Sequence, residues 1–206
     1  MHLRLLIFPM LLWLSLVSTA QAEAIEAPEL MLERITRKML HELKAHETQT
    51  KENPEKLVEI INKILVPYID AQDMARWVAG RTAWLKASTA EQEAFVTEFR
   101  ELLIRTYAST LQAYTNQVIQ YLPPREAVTD KARVQITSLV HDAGRAPVTV
   151  NYRLVRKADN WQVYDLAIEG VSLLRGFKAQ FSADIQQQGL AEVTKKMKNH
   201  NQKPLH

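Results

Sequence analysis

Few residues of this chain stand at the spacings that reactive chemistry requires. His41-Glu42-Leu43-Lys44-Ala45-His46 brings two histidines close to an acid, the raw material of a zinc site. Histidines share a metal from one helix face when they stand four apart, and five apart separates them by about 140° around the axis. The segment therefore reads as two exposed histidines on an amphipathic helix. Asp70 and Asp73 form a carboxylate pair, but each lies beside a short helix, where capping accounts for an acid equally well. Asp165, set among apolar strand neighbours, is the one sheet residue with which a pocket enzyme could move a proton. Cysteine is absent, as are a Gly-x-Ser-x-Gly elbow and a phosphate-cradling glycine loop. The expectation is a protein with no catalytic residue, no metal and no cofactor.

The elements around these residues fall into two halves of different period. Leu32, Ile35, Met39 and Leu43 recur at helical spacing. Asn53-Pro54 reads as an N-cap with proline at the first helical position, opening a helix that runs to Val66. A short helix from Ala71 to Ala79 closes at Gly80, and Ser88-Thr89-Ala90-Glu91 is a capping box for the longest helix, Thr89 to about Tyr114. From Gln117 the period becomes two, with candidate strands at 117–122, 131–140, 147–156 and 161–169. Short turn-rich breaks predict an antiparallel meander in which Val134 and Ile136 share a face, as do Val148, Val150, Tyr152 and Leu154. Gly170 permits a turn and Ser172 caps a helix from Val171 to about Gln188, before Gly189 and a terminal helix. Helices, then strands, then helices describe an α+β fold. Its N-terminal helices pack on a curved, mainly antiparallel four-stranded sheet closed by C-terminal helices.

The long helix carries more apolar surface than one packed layer uses. Val96, Leu103, Tyr107 and Tyr114 make one stripe, and Phe95, Phe99, Leu102 and Thr106 make a neighbouring one. Both stripes can pack, or one can pack while the other lines a cavity. Core and pocket wall use the same residue types, so periodicity does not separate them.

Composition narrows the setting. The N-terminus has a short basic start (His2, Arg4), an apolar run from Leu5 to Val17, and small residues at Ala20 and Ala22. This is the pattern of a secretory signal peptide spanning 1–22. A single domain over 23–199 and a flexible tail over 200–206 are expected to follow, in a soluble, monomeric product. The net charge of +3 is spread along helices in mixed pairs such as Glu33-Arg34 and Lys51-Glu52, the mark of a solvated face rather than a nucleic-acid patch.

Three segments resemble one family. They are PYIDAQDMARWVAGRTAW (67–84), ASTAEQEAFVTEFRELLIRTYAS (87–109) and WQVYDLAIEGVSLLRGFKAQF (161–181), in order and with sensible spacing. Together they resemble the MlaC, or toluene-tolerance, family of periplasmic phospholipid-transport proteins. Ala90 stands where family members often carry proline, and Arg175-Gly176-Phe177-Lys178 replaces a typical Asn-Asn-Tyr-Arg. The resemblance implies a soluble periplasmic carrier that maintains outer-membrane lipid asymmetry. Its partners would be an outer-membrane lipoprotein–porin complex and an inner-membrane ABC transporter with its membrane-anchored substrate-binding subunit.

Two acyl chains hold about 30 methylenes, so hiding them from water is worth on the order of 20 kcal/mol. Such a carrier requires a deep apolar pocket between helices and sheet. On pattern, the lipid-contact residues are Val96, Leu103, Tyr107 and Tyr114 on the long helix. Val134, Ile136, Val150, Tyr152 and Tyr164 would line the sheet, with Val171 and Leu174 at the strand-to-helix corner. Arg76, Arg81 and Arg105 are expected in structural ion pairs or near a head group. Two other function classes compete with the carrier, a pocket enzyme built on Asp165 and a lipid-free periplasmic adaptor.

Overall fold

The computed structural model describes residues 25–112, 117–124, 126–128, 131–158 and 160–205. The expected signal segment and Tyr114 lie outside the described residues. Helix α1 (Pro28–Ala45) is followed by the short α2 (Glu47–Glu52) and by α3 (Pro54–Ile64). Asn53 caps α3, its side chain accepting from the Glu55 amide at 3.1 Å. The helix ends at Ile64 rather than Val66, because Pro67 tightens the next turn into a 3-10 helix, Val66–Tyr68. Next come α4 (Ala71–Ala79) and α5 (Arg81–Lys86), joined at Gly80, whose φ of 78° turns the chain between two helices too close for a loop. The α6 helix (Thr89–Gln112) opens on the expected capping box, with the Glu91 carboxylate accepting from the Ser88 amide and hydroxyl at 2.7 and 2.8 Å.

The sheet has five strands rather than four. Its order is sequential and every pairing antiparallel: β1 (Val118–Tyr121), β2 (Arg133–His141), β3 (Val148–Lys157), β4 (Asn160–Ile168) and β5 (Val171–Ser172). A two-residue strand has no period, so β5 reads in sequence as the start of a helix. It forms because Glu169 and Gly170, at φ 48° and 81°, fold the chain back onto β4, pairing Ile168 with Val171. The following helix, α7 (Leu173–Gln188), starts two residues later than its apolar pattern suggests. Ser172 caps it, accepting from the Arg175 amide at 3.3 Å.

The last helix, α8 (Leu190–Asn201), lies along α6. The segment from residue 200, expected as a tail, makes contacts with the helices. Asn201 is buried and its amide donates to the Glu98 carbonyl and carboxylate at 3.0 and 2.8 Å. Beyond it, Arg105 Nη1 reaches the Lys203 carbonyl at 3.4 Å, and Leu205 packs on apolar residues. No described helix is long and apolar enough to cross a membrane.

Buried side chains form two cores. The first joins α1, α3 and the C-terminal part of α6 to one end of the sheet, through Met31, Ile35, Leu57, Ile61, Ile104, Ile136, Leu154 and Trp161. The second joins α4, α5, the N-terminal half of α6, α7 and α8 through Met74, Val78, Phe95, Phe99, Phe177 and Val193.

Candidate functional site

The α6 helix borders both cores, and its stripes do different work. Phe95, Phe99 and Leu102 are 0%, 0% and 7% exposed in the second core. Phe99 stacks parallel to Phe95 at 6.1 Å and edge-on to Phe177 at 5.4 Å. Ile104 and Ala108 enter the first core from another side of the helix. Val96, Leu103 and Tyr107 lie on the sector between, and all three are only half-buried. At about 100° per residue, these three fall within one narrow arc flanked by the two packed ones. Tyr107 meets Phe177 edge-on at 6.5 Å, and burial pushes its phenol pKa up. Thr106, expected in the packed stripe, is exposed and turns its hydroxyl back to the Leu102 carbonyl at 2.7 Å. The α6 helix runs along α8, α4 and α3 but makes no extended contact with any described strand, whereas α4 and α7 come down onto β4.

The sheet is equally uneven. Register places Val134, Ile136, Ser138 and Val140 of β2 beside Leu154, Tyr152, Val150 and Val148 of β3, and Val150 beside Ile168 of β4. At one end this face is packed. Ile136 is fully buried, and Val134 and Tyr152 are half-buried against the first core. Tyr152 donates or accepts within a hydroxyl cluster in which Ser138 Oγ lies 3.4 Å from its hydroxyl, and its ring sits 5.8 Å from that of Tyr121. Tyr121 in turn bonds Thr36 across to α1 at 2.6 Å, and burial drives its pKa far above the ordinary phenol value. At the other end Val140 and Val150 are buried but belong to neither core. Beside them Val148, Ile168 and Val171 are 38%, 39% and 70% exposed, an apolar lip running across β3, β4 and β5.

Tyr164 and Leu174 are placed away from that face. The β3–β4 register shifts between Arg153 and Leu154, leaving Tyr164 unpaired in a bulge. Its ring lies 4.9 Å beneath the guanidinium of Arg133, which belongs to the opposite face of β2. Leu174, on α7, is buried in the second core.

Most of the candidate chemistry residues are engaged in structure. Asp165 is 3% exposed. Its carboxylate accepts from Ser172 Oγ at 2.8 and 3.0 Å, Arg153 Nη1 at 2.9 Å and the Leu174 amide at 3.3 Å. It thus latches β4 to β5 and the start of α7, with little lone-pair capacity left for a substrate proton. Asp70 caps α4 and sits 2.9 Å from Lys157 Nζ, while Asp73 pairs with Arg76 at 2.7 Å. Arg105 bridges Glu101 and Glu55 at 2.6 and 2.9 Å. His46 meets Gln49 at 3.1 Å, and no metal-binding cluster of acids, histidines or cysteines occurs among the described residues. Arg81 borders two surface grooves of about 600 and 400 Å³ near α4 and α5, and neither groove touches a residue of the expected lipid wall.

Sequence reasoning missed the lip residue Ile168 and the base Arg100. Ile168 was legible as the end of an alternating strand. Arg100 was legible as a lone base three residues before Leu103 and four after Val96.

Comparison with known proteins bears on this arrangement. The family model described as MlaC protein matches residues 33–199. The chain belongs to the MlaC family. A curated MlaC relative, the intermembrane phospholipid transport system binding protein of Haemophilus influenzae, is 28% identical over 191 residues, covering 91% of this chain and 88% of that one. Toluene tolerance protein ttg2D of Pseudomonas putida is 26% identical over 166 residues, covering 81% and 76%. The MlaC fold is matched by the solved structure of a phospholipid-binding protein from Ralstonia solanacearum, in complex with a phospholipid. That match has a TM-score of 0.76 and 28% identity, covering 84% of this chain and 96% of the other.

Proposed function

We propose that this chain is a periplasmic phospholipid carrier. It holds acyl chains between the half-buried sector of α6 and the open end of the sheet face. Membership of the MlaC family and the phospholipid bound by the Ralstonia relative support this reading. The observation that carries it is the contrast on α6, where Val96, Leu103 and Tyr107 stay half-buried between two fully packed stripes. Apolar side chains that gain nothing further from the protein gain from a bound tail, at about 25 cal/mol per Å² covered. Val134, Val150 and Tyr152 supply the opposite wall and Val171 the lip. Ile136 backs that wall from within the first core, Leu174 lies in the second core away from it, and Tyr114 is counted as a further lipid contact.

In this role the protein leaves the cytoplasm with its signal peptide removed and acts as a monomer. It exchanges lipid with an outer-membrane lipoprotein–porin complex and with an inner-membrane ABC transporter and its anchored binding subunit, so maintaining outer-membrane asymmetry. No catalytic step is needed, in keeping with the engagement of Asp165 in the β4–α7 latch. The test is solvent extraction of the folded, purified mature protein followed by lipid mass spectrometry. The reading expects phospholipid near one molecule per chain; a folded, monodisperse, lipid-free protein overturns it.

A further inference from the structure

We infer that Arg100 is the residue through which this carrier recognises the phosphodiester of its cargo, an inference that rests on the carrier reading. Arg100 stands on α6 four residues after Val96, three before Leu103 and seven before Tyr107, so it shares their sector. It is half-buried, and its Nε is shut off from solvent with no hydrogen-bond partner among the described residues.

The helix offers it no acid. Positions three and four away on either side are Thr97, Val96, Leu103 and Ile104. The nearby carboxylates are taken, Glu101 by Arg105 at 2.6 Å and Glu98 by Asn201 at 2.8 Å. Arg105, one turn on, has two carboxylate partners, which marks the bare state of Arg100 as particular to its place.

A guanidinium stays charged at any physiological pH, and a buried N–H without a partner is costly. An anion arriving with the cargo removes that cost, and the planar fork of arginine matches two oxygens of a phosphate. The shared chemistry is a phosphate anion, which a lipid head group or free inorganic phosphate could supply. Placement beside the apolar stripe favours the lipid, whose phosphate and tails are covalently joined and arrive together.

The test compares loading of dipalmitoyl phosphatidylglycerol and of dipalmitoylglycerol, which has the same tails without the phosphate, on wild type and on Arg100→Gln. The wild type is expected to favour the phospholipid by roughly tenfold to a hundredfold, the range of a charge-assisted hydrogen bond. Arg100→Gln is expected to lose that preference while binding dipalmitoylglycerol like wild type, a readout that general loss of folding would not give. Arg100→Lys, which keeps the charge without the fork, should restore part of it. A preference left intact in Arg100→Gln overturns the inference. So does stabilisation of lipid-free wild type, but not of Arg100→Gln, by inorganic phosphate when phospholipid loading is equal in the two. A wild type that binds both lipids equally also sinks the inference and leaves the carrier standing, whereas one that binds neither sinks the carrier reading itself.

Discussion

Two arcs of one helix, made of much the same residues, end in opposite states. Phe95, Phe99 and Leu102 of α6 are sealed in the second core, while Leu103 and Tyr107, one residue further round, remain half-buried although Tyr107 shares the Phe177 ring with Phe99. Hydrophobic composition alone therefore does not define a core. What separates the arcs is what lies opposite: the second core, with α4 and α8 running along α6, closes on the first, and no described strand closes along the second. A well-packed stripe holds the fold, and we propose that the underpacked stripe beside it takes the ligand.

The largest effect that sharpens this contrast is expected at Phe99. Phe99→Ala should cost about 3–5 kcal/mol, because it removes a fully buried ring and leaves a cavity. Leu103→Ala should cost about 1 kcal/mol or less, since its side chain is already partly in water. Urea melts of both variants, with lipid content measured alongside, check the pair. Equal destabilisation would erase the distinction, and lipid loss is expected only for the Leu103 variant that stays folded.

How much of this was legible in the sequence depends on the residue. The two stripes of α6 follow from spacing, and so do the capping box, the antiparallel order and the caps at Asn53 and Ser172. Which stripe packs does not follow, because burial is set by partners more than 70 residues away, such as Phe177 against Phe99. Tyr164 illustrates a different limit. Its alternation is that of a wall residue, but one bulge moves it to the face of Arg133. The two-residue β5 and the tail anchored through Asn201 were illegible for a similar reason, since both depend on tertiary contacts and carry no period of their own.

Next in size is Asp165→Asn. Replacing one acceptor oxygen by an amide sets a donor against Ser172 and Arg153 and should cost about 2–3 kcal/mol. Thermal unfolding reports the loss, and lipid bound per folded molecule should be unchanged. Loss of lipid at full stability would return Asp165 to the site and revive the pocket enzyme.

A smaller effect of opposite sign is expected at Gly176 in α7, where an added methyl group would meet nothing within 4 Å. Gly176→Ala should stabilise by about 1 kcal/mol, the helix-propensity difference. A destabilised variant would show that α7 needs its glycine.

The smallest effect belongs to Glu91 in the capping box. Hydrogen bonds from the Ser88 amide and hydroxyl lower its pKa below 4.5. A depressed folded-state pKa adds stability that is present above the unfolded value and lost as pH falls through the folded one. Melting temperatures taken from pH 7 down to pH 2 should therefore fall more for wild type than for Glu91→Gln over the acid end. Parallel curves would remove the box from the account.

The central claim is that the half-buried sector of α6 touches lipid tails and its exposed neighbour does not. A photo-crosslinking amino acid placed at Tyr107 and, separately, at Thr106 compares two adjacent positions, one in that sector and one facing out. Irradiation with a labelled phospholipid should yield a lipid adduct at 107 and little at 106. Equal capture at both, or none at 107 in a folded, lipid-loaded protein, would contradict it.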